Sequence, residues 1–309
     1  MTKPIFKYIG GKRWMQERLK DKVSLALSLN PSIKSYCEPF CGGLGSFLSV
    51  QDILFENGIT SIMLNDINKN IINFYYDVKE YPYQLIQKYF SLEAEFLNTV
   101  PSDWKELKKI KNKEEQKILL DSSNLFYKEI RERFNTSPIG VDKSAFLLFL
   151  QKHAFNGIYR ENKKGGHNVP FNWNGDFVNK EETQNRILEL SELLNAFNIL
   201  LTSKSFEDIE YNSNTLYYLD PPYLNDKGLE NNYSKGGFNI EKQIELIDKI
   251  IDVPFIYSNH NSQTLIDIFS AKERKSLSFE TVSRKNIVSS SSDSRNEDKT
   301  EMLVFKPLH

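Results

Sequence analysis

Asp220-Pro221-Pro222-Tyr223 is the stretch of this chain richest in chemistry. Two consecutive prolines fix φ and delete two backbone N–H groups, so the segment offers a carboxylate, rigid carbonyls and an aromatic ring but few main-chain donors. Such a site accepts hydrogen bonds. Its complement is a flat group bearing an NH₂, gripped by Asp220 and the Pro221 carbonyl and stacked on Tyr223, as an amino-bearing nucleobase would be. A second constellation is Phe40-Cys41-Gly42-Gly43-Leu44-Gly45-Ser46, which follows an apolar run and opens a helical pattern. Glycines there let a ligand approach the backbone at a helix N-terminus. Asp66 ends the next apolar run, 23 residues after Gly43, near the spacing at which an acidic residue accepts from ribose hydroxyls. The pattern is not G-x-G-x-x-G, so any adenosine-bearing cofactor would satisfy it.

These groups need a scaffold, and the chain spells one. Short apolar runs at 61–66 and 215–220 each end in a carboxylate, and the run at 254–259 ends in the polar pair Ser258-Asn259. With the run at 35–40 and the helical patterns between them, they predict an open, mostly parallel α/β sheet of the Rossmann type. Asp220 then lies at the carboxyl edge of that sheet, where such folds place their sites. Residues 77–200 break the rhythm with long helical periods, and the Asn, Gly and Lys punctuation from Asn156 to Asn172 predicts a β-hairpin. The chain therefore divides into a sheet domain, residues 1–76 and 201–309, and a mostly helical insertion, residues 77–200.

Composition narrows the class. Of 309 residues, 39% are hydrophobic and 26% charged, too apolar for a disordered polymer, and no apolar run is long enough to span a bilayer. Lysines and glycines occupy the N-terminal stretch where a secretion signal would be apolar, so a cytoplasmic protein is expected. Two cysteines, Cys37 and Cys41, and four scattered histidines offer no metal-ligand spacing, and no metal is expected. Net charge is only −1, yet residues 1–22 carry seven Lys/Arg against two acids and residues 128–168 carry eight against four. Brought together, these two segments would make a phosphate-facing surface.

Taken together, these motifs resemble the Dam-type DNA adenine-N6 methyltransferases, which use S-adenosylmethionine, and the resemblance covers nearly the whole chain. Phe6-Lys7-Tyr8-Ile9-Gly10-Gly11-Lys12 looks like the family's opening aromatic-x-Gly-Gly-Lys motif, which implies that Tyr8, Gly10 and Lys12 line the cofactor pocket. Glu38 to Ser46 is similar to its methionine-side loop, implying cofactor contacts by Phe40, Gly42, Gly43, Gly45 and Ser46. Leu64 to Asn68 resembles its ribose segment and carries that role to Asp66; Asp220 to Tyr223 matches its catalytic motif. Ser205-Phe206 stands where members have Asp-Phe, so Phe206 is expected beside the cofactor. Stretches 127–135 and 155–165 look like the target-recognition domain, implying DNA contacts by Arg131, Asn156, Arg160, Asn162, Lys163, Lys164 and Asn168. Gly166-His167-Asn168-Val169-Pro170-Phe171-Asn172 departs from the Glu-Phe-Asn-Val-Pro-Phe-Gly of GATC-modifying members, so the resemblance does not fix a target sequence.

The implied reaction moves a methyl group from S-adenosylmethionine to N6 of an adenine flipped out of duplex DNA. The implied partner is double-stranded DNA, with room for a cognate restriction endonuclease, and a monomer is expected. Arg160 on the hairpin would read a base edge in a groove, and Lys163 and Lys164 would meet phosphates. A methyltransferase acting on cytosine N4 or on RNA would share the Asp-Pro-Pro-Tyr chemistry. A non-catalytic DNA-binding subunit would need a degenerate cofactor pocket, contrary to the presence of Tyr8, Lys12, Asp66 and Asp220.

Overall fold

The computed structural model describes residues 4–5, 11–101, 110, 112–162, 165–172, 180–223, 238–272, 277–284 and 299–306. They form two compact units.

The first unit holds Lys12–Ile67 and the chain from Phe197 onward. Its elements are α1 (Gln16–Leu29), β1 (Ser35–Glu38), α2 (Phe47–Glu56), β2 (Ser61–Asn65), then, after the second unit, β3 (Asn198–Thr202), β4 (Thr215–Leu219), α9 (Ile240–Ile250), β5 (Phe255–His260), α10 (Gln263–Lys272), β6 (Ser278–Arg284) and β7 (Lys299–Lys306). The seven strands form one sheet in the order β3-β2-β1-β4-β5-β7-β6. All neighbours are parallel except β7, which runs antiparallel to both β5 and β6. The expected mixed α/β sheet is therefore present.

Central strands buried on both faces must be apolar along their whole length, and all five residues of β4 are buried. Helix α9 covers the sheet with Leu246, Ile247 and Ile250, at the spacing of one helical face. Asn239 caps its start by accepting from the Lys242 N–H at 3.0 Å. From β1 the sheet grows one way to β2 and β3, and from β4 the other way to β5. The point of reversal therefore lies between the carboxyl ends of β1 and β4, the place where an open α/β sheet leaves a crevice.

The second unit, Asn68–Ala196 with the few residues before Lys12, contains α3 (Lys69–Glu80), α4 (Pro82–Leu97), α5 (Lys113–Leu119), α6 (Asp121–Thr136), α7 (Val141–His153) and α8 (Lys180–Ala196). The units part at 67/68 and 196/197, whereas the sequence periodicity put the breaks at 76/77 and 200/201. The reason is packing. Asn73 and Asp77 of α3 bond Ser144 of α7, at 2.8 and 2.6 Å, which draws α3 into the helical unit. At the other end β3 pairs with β2 from Asn198 opposite Ser61, three residues before the predicted return.

The expected hairpin is here reduced to two isolated antiparallel bridges, Ala154 with Phe171 and Glu161 with His167. Gly165, at φ +80°, closes its tip. Helix α6 braces it: the Tyr127 hydroxyl donates to the Val169 carbonyl at 2.9 Å, and Asn135 bonds both backbone groups of His167. Among the described residues, no helix is long and apolar enough to cross a membrane, and no group of His, Cys, Asp or Glu is arranged to hold a metal ion.

Candidate active site

β4 delivers Asp220 to the crevice, and two neighbours fix the carboxylate. The Lys12 ammonium lies 3.1 Å from Oδ1, and the Ser258 hydroxyl, from β5, donates to the same oxygen at 3.0 Å. Oδ2 accepts from no donor among the described residues, and the Asp220 side chain is 18% exposed. Next in the chain, the Pro222 carbonyl is taken: Gln243 donates to it at 3.0 Å, and Gln243 in turn accepts from Tyr257, which accepts from Asn259 at 2.9 Å. The Pro221 carbonyl, by contrast, meets no donor among the described residues. Two acceptors separated by one backbone unit are thus held ready, while the acceptors around them are engaged.

Lys12 is almost fully buried and sits between two acids. Its ammonium is 3.1 Å from Glu301 on β7 as well as from Asp220, contacts the Tyr223 hydroxyl, and lies 4.4 Å from the centre of that ring. Burial pushes the Asp220 pKa up; Lys12 and Ser258 pull it back, and Glu301 adds to the rise. Burial also raises Tyr223, so its phenol stays protonated.

The loop after β1 is pinned from below. Glu38 ends the strand fully buried, accepting from the Tyr36 hydroxyl at 2.7 Å and from the Ser46 hydroxyl at 2.9 Å. Desolvation pushes its pKa up to about 8 despite both hydrogen bonds, with Asp220 adding to the rise. Ser46, expected to touch the cofactor, thus spends its hydroxyl inside the protein.

Gly42 adopts φ +44°, which aims its N–H at Asp66 Oδ2, 3.0 Å away. Leu44 also lies in the left-handed region, at φ +59°. Gly43 and Gly45 lie on the same loop; a Cβ on Gly45 would come within 3.6 Å of the Lys12 backbone nitrogen. Asn65, one residue before Asp66, donates to the carbonyls of Pro39 and Lys204 and accepts from Thr202 and from the Lys204 N–H, at 2.8–3.1 Å. It ties the ends of β1, β2 and β3 together. Above them Phe40, Phe206 and Phe238 form an aromatic wall with ring centres 5.4–6.0 Å apart.

Of the residues expected to contact DNA, Arg160 and Asn168 are joined: the guanidinium donates to Asn168 Oδ1 at 2.8 Å and to its carbonyl at 3.3 Å. Arg131 instead reaches the Val169 carbonyl at 3.4 Å. Asn162 shapes the hairpin tip by accepting from the Gly166 N–H at 3.1 Å, and Asn156 stands in a turn at φ +57°. Tyr8, Gly10, Lys163 and Lys164 lie outside the described residues.

Sequence reasoning gave no role of their own to Ser258, Asn65 and Glu38, which it passed over inside longer stretches, and missed Glu301 and Gln243. Each is a polar residue at the end of an apolar run or on a buried helix face, as Glu301 is beside Met302-Leu303-Val304-Phe305. That anomaly was the available signal, because a polar group on a central strand must find a partner.

Comparison with known proteins points one way. The family described as D12 class N6 adenine-specific DNA methyltransferase matches residues 8–287. The chain is 29% identical over 316 residues to the type II methyltransferase M.MjaIII of Methanocaldococcus jannaschii, covering 98% of this chain and 99% of that one. It is 28% identical over 251 residues to the type II methyltransferase M1.LlaDCHI of Lactococcus lactis subsp. cremoris, covering 80% and 75%. To the DNA adenine methylase of Vibrio cholerae it is 26% identical over 264 residues, covering 83% and 80%.

Proposed function

This chain belongs to the D12 class of N6 adenine-specific DNA methyltransferases, and from that membership we propose that Asp220–Tyr223 methylates N6 of an adenine flipped out of duplex DNA, with S-adenosylmethionine as donor. The family acts on DNA and requires a methyl donor. The observation that carries the assignment of the site is the pair of open acceptors, Asp220 Oδ2 and the Pro221 carbonyl, beside a carboxylate oxygen already held by Lys12 and Ser258.

The residues fit the proposed cofactor. Its adenine has flat aromatic faces that suit the Phe40–Phe206–Phe238 wall, and its ribose diol suits a carboxylate at the end of β2, as Asp66 provides beside the Gly42 loop. Gly42, Gly43 and Gly45 keep the backbone accessible, and Tyr8, Gly10 and Lys12 complete the lining on this reading. When bound, S-adenosylmethionine supplies an electrophilic methyl group on a positively charged sulfur.

Everything else falls to this chain. The N6 lone pair of adenine is delocalised into the ring, which makes it a weak nucleophile. With one N6–H donated to Asp220 Oδ2 and the other to the Pro221 carbonyl, the nitrogen is drawn toward tetrahedral geometry and its lone pair points away from both acceptors. Orientation of this kind is worth up to ~7–11 kcal/mol in well-aligned intramolecular reactions. Nitrogen gains positive charge as its bond to the methyl carbon forms and the S–C bond breaks, the electron pair staying on sulfur, and the carboxylate opposes that charge. The surplus proton then leaves to Asp220 Oδ2, whose affinity for it burial has raised. Tyr223 receives the face of the flipped base, which offsets part of the few kcal/mol lost on unstacking it.

In the helical unit, Arg160 reads a base edge with its fork oriented by Asn168, Asn156 and Asn162 present the hairpin, Lys163 and Lys164 meet phosphates, and Arg131 holds the hairpin's return strand. Relatives named as type II methyltransferases support a pairing with a restriction endonuclease. The test is direct: DNA treated with the chain and labelled donor is digested to nucleosides. N6-methyladenine is expected; N4-methylcytosine or label in RNA alone would overturn the reading.

A further inference from the structure

We propose that Glu301 on β7 is a positioning residue for methyl transfer, sharing the Lys12 ammonium with Asp220 and setting the ring of Tyr223. The inference rests on the assignment of Asp220–Tyr223 as the methyl-transfer site and adds to it a residue from the far, antiparallel part of the sheet.

A single oxygen does both tasks. Glu301 Oε2 lies 3.1 Å from the Lys12 ammonium and accepts from the Tyr223 hydroxyl at 2.9 Å. Lys12 is only 2% exposed and Glu301 15%, so water competes weakly for either contact. The antiparallel ladder between β5 and β7 sets Glu301 opposite His260, two residues beyond Ser258, the other group that touches Asp220. The strand pairing therefore places Ser258 and Glu301 on the same face of the sheet, two residues apart along it.

The chemistry explains the need for a second acid. Asp220 must hold a neutral amino group and face a growing positive charge. A buried ammonium paired with Asp220 alone would weaken that carboxylate as an acceptor and oppose the new charge on nitrogen. With Glu301 present, one ammonium is shared by two carboxylates, and the group of three keeps a net negative charge. The same oxygen restrains the Tyr223 phenol, so its ring plane is set before a base arrives and less rotamer freedom is lost on stacking.

The experiment uses the full chain, unmethylated genomic DNA and labelled donor, comparing wild type with Glu301→Gln, Glu301→Ala, Glu301→Asp, Tyr223→Phe and Asp220→Ala. Glu301→Gln keeps the shape and a hydrogen-bond acceptor but removes the charge. The expected result is a loss in kcat of about tenfold or more for Glu301→Gln and a larger one for Glu301→Ala, with KM for DNA changed less than about threefold. Glu301→Asp recovers part of the loss, and Tyr223→Phe added to Glu301→Ala costs less than it does alone, because its partner is already gone. Wild-type kcat in both Glu301→Gln and Glu301→Ala, beside an inactive Asp220→Ala, overturns this proposal alone. So does a loss confined to thermal stability in all three Glu301 variants. Near wild-type turnover in Asp220→Ala instead overturns the assignment of the site itself.

Discussion

Ser258→Ala tests the holding of Asp220 most cleanly, because it removes one donor and leaves every proposed substrate contact in place. The Ser258 hydroxyl has a single proton and three neighbours: Asp220 Oδ1 at 3.0 Å, the Tyr218 hydroxyl at 3.1 Å and the Leu219 carbonyl at 3.5 Å. The carboxylate is the strongest acceptor of the three, so Tyr218 donates to Ser258 and Ser258 to Asp220. A hydrogen bond to a charged group contributes roughly 1.5–3 kcal/mol, which at about 1.4 kcal/mol per tenfold corresponds to a rate loss of roughly 10- to 100-fold if all of it serves alignment. Lys12 still grips the same oxygen, so the lower end is expected. Single-turnover transfer of labelled methyl isolates chemistry from product release.

The variant also carries a pH signature. Donation from Ser258 lowers the Asp220 pKa, so removing it raises that pKa, and the protonated acid accepts poorly. The acid limb of the single-turnover profile should therefore move to higher pH, with the defect deeper on the acid side. The Tyr218 hydroxyl, buried and robbed of its partner, should cost about 1–3 kcal/mol of stability in denaturant unfolding. A single-turnover rate within twofold of wild type, with an unmoved acid limb, would refute the reasoning.

Three further outcomes follow from other contacts. Glu38 has a folded pKa of about 8 against an ordinary carboxylate value of 4.5, so between these the folded state binds the extra proton. Its stabilising effect is complete below the lower value and lost as pH rises through the upper. Unfolding free energy should fall by up to about 1.4 kcal/mol per pH unit across that window, and Glu38→Gln should flatten this slope in urea titrations. Asp66→Ala removes the acceptor for the Gly42 N–H along with the proposed ribose contact, so calorimetry should show S-adenosylmethionine affinity falling by roughly 1.5–3 kcal/mol; unchanged affinity would make Asp66 a loop cap only. Asn168→Ala frees the Arg160 fork, which should flatten preference among related DNA sites by about 1–3 kcal/mol without altering cofactor affinity; an unaltered site preference in methylation-sensitive sequencing would exclude Arg160 from base reading.

The sequence by itself determined the type of scaffold and the chemical nature of its edge. Apolar runs ending in Asp66 and Asp220 marked strands buried on both faces, because period and side-chain type are local properties. The Pro221-Pro222 pair announced an acceptor-rich turn for the same reason, and the glycines between Phe40 and Ser46 announced a close approach of backbone. Where the units part was less legible: α3 reads as a helix wherever it packs, and only Asn73 and Asp77 meeting Ser144 draw it into the helical unit. The full cluster around Asp220 was not legible at all. Lys12 and Glu301 stand nearly the whole chain apart, and what brings Glu301 to the Lys12–Asp220 pair is the pairing of β4 with β5 and of β5 with an antiparallel β7. Strand order and register are set by the packing of the entire sheet, so no window of sequence contains them. Only the folded chain decided which oxygens of the Asp220–Pro222 turn were already engaged and which were left to bind.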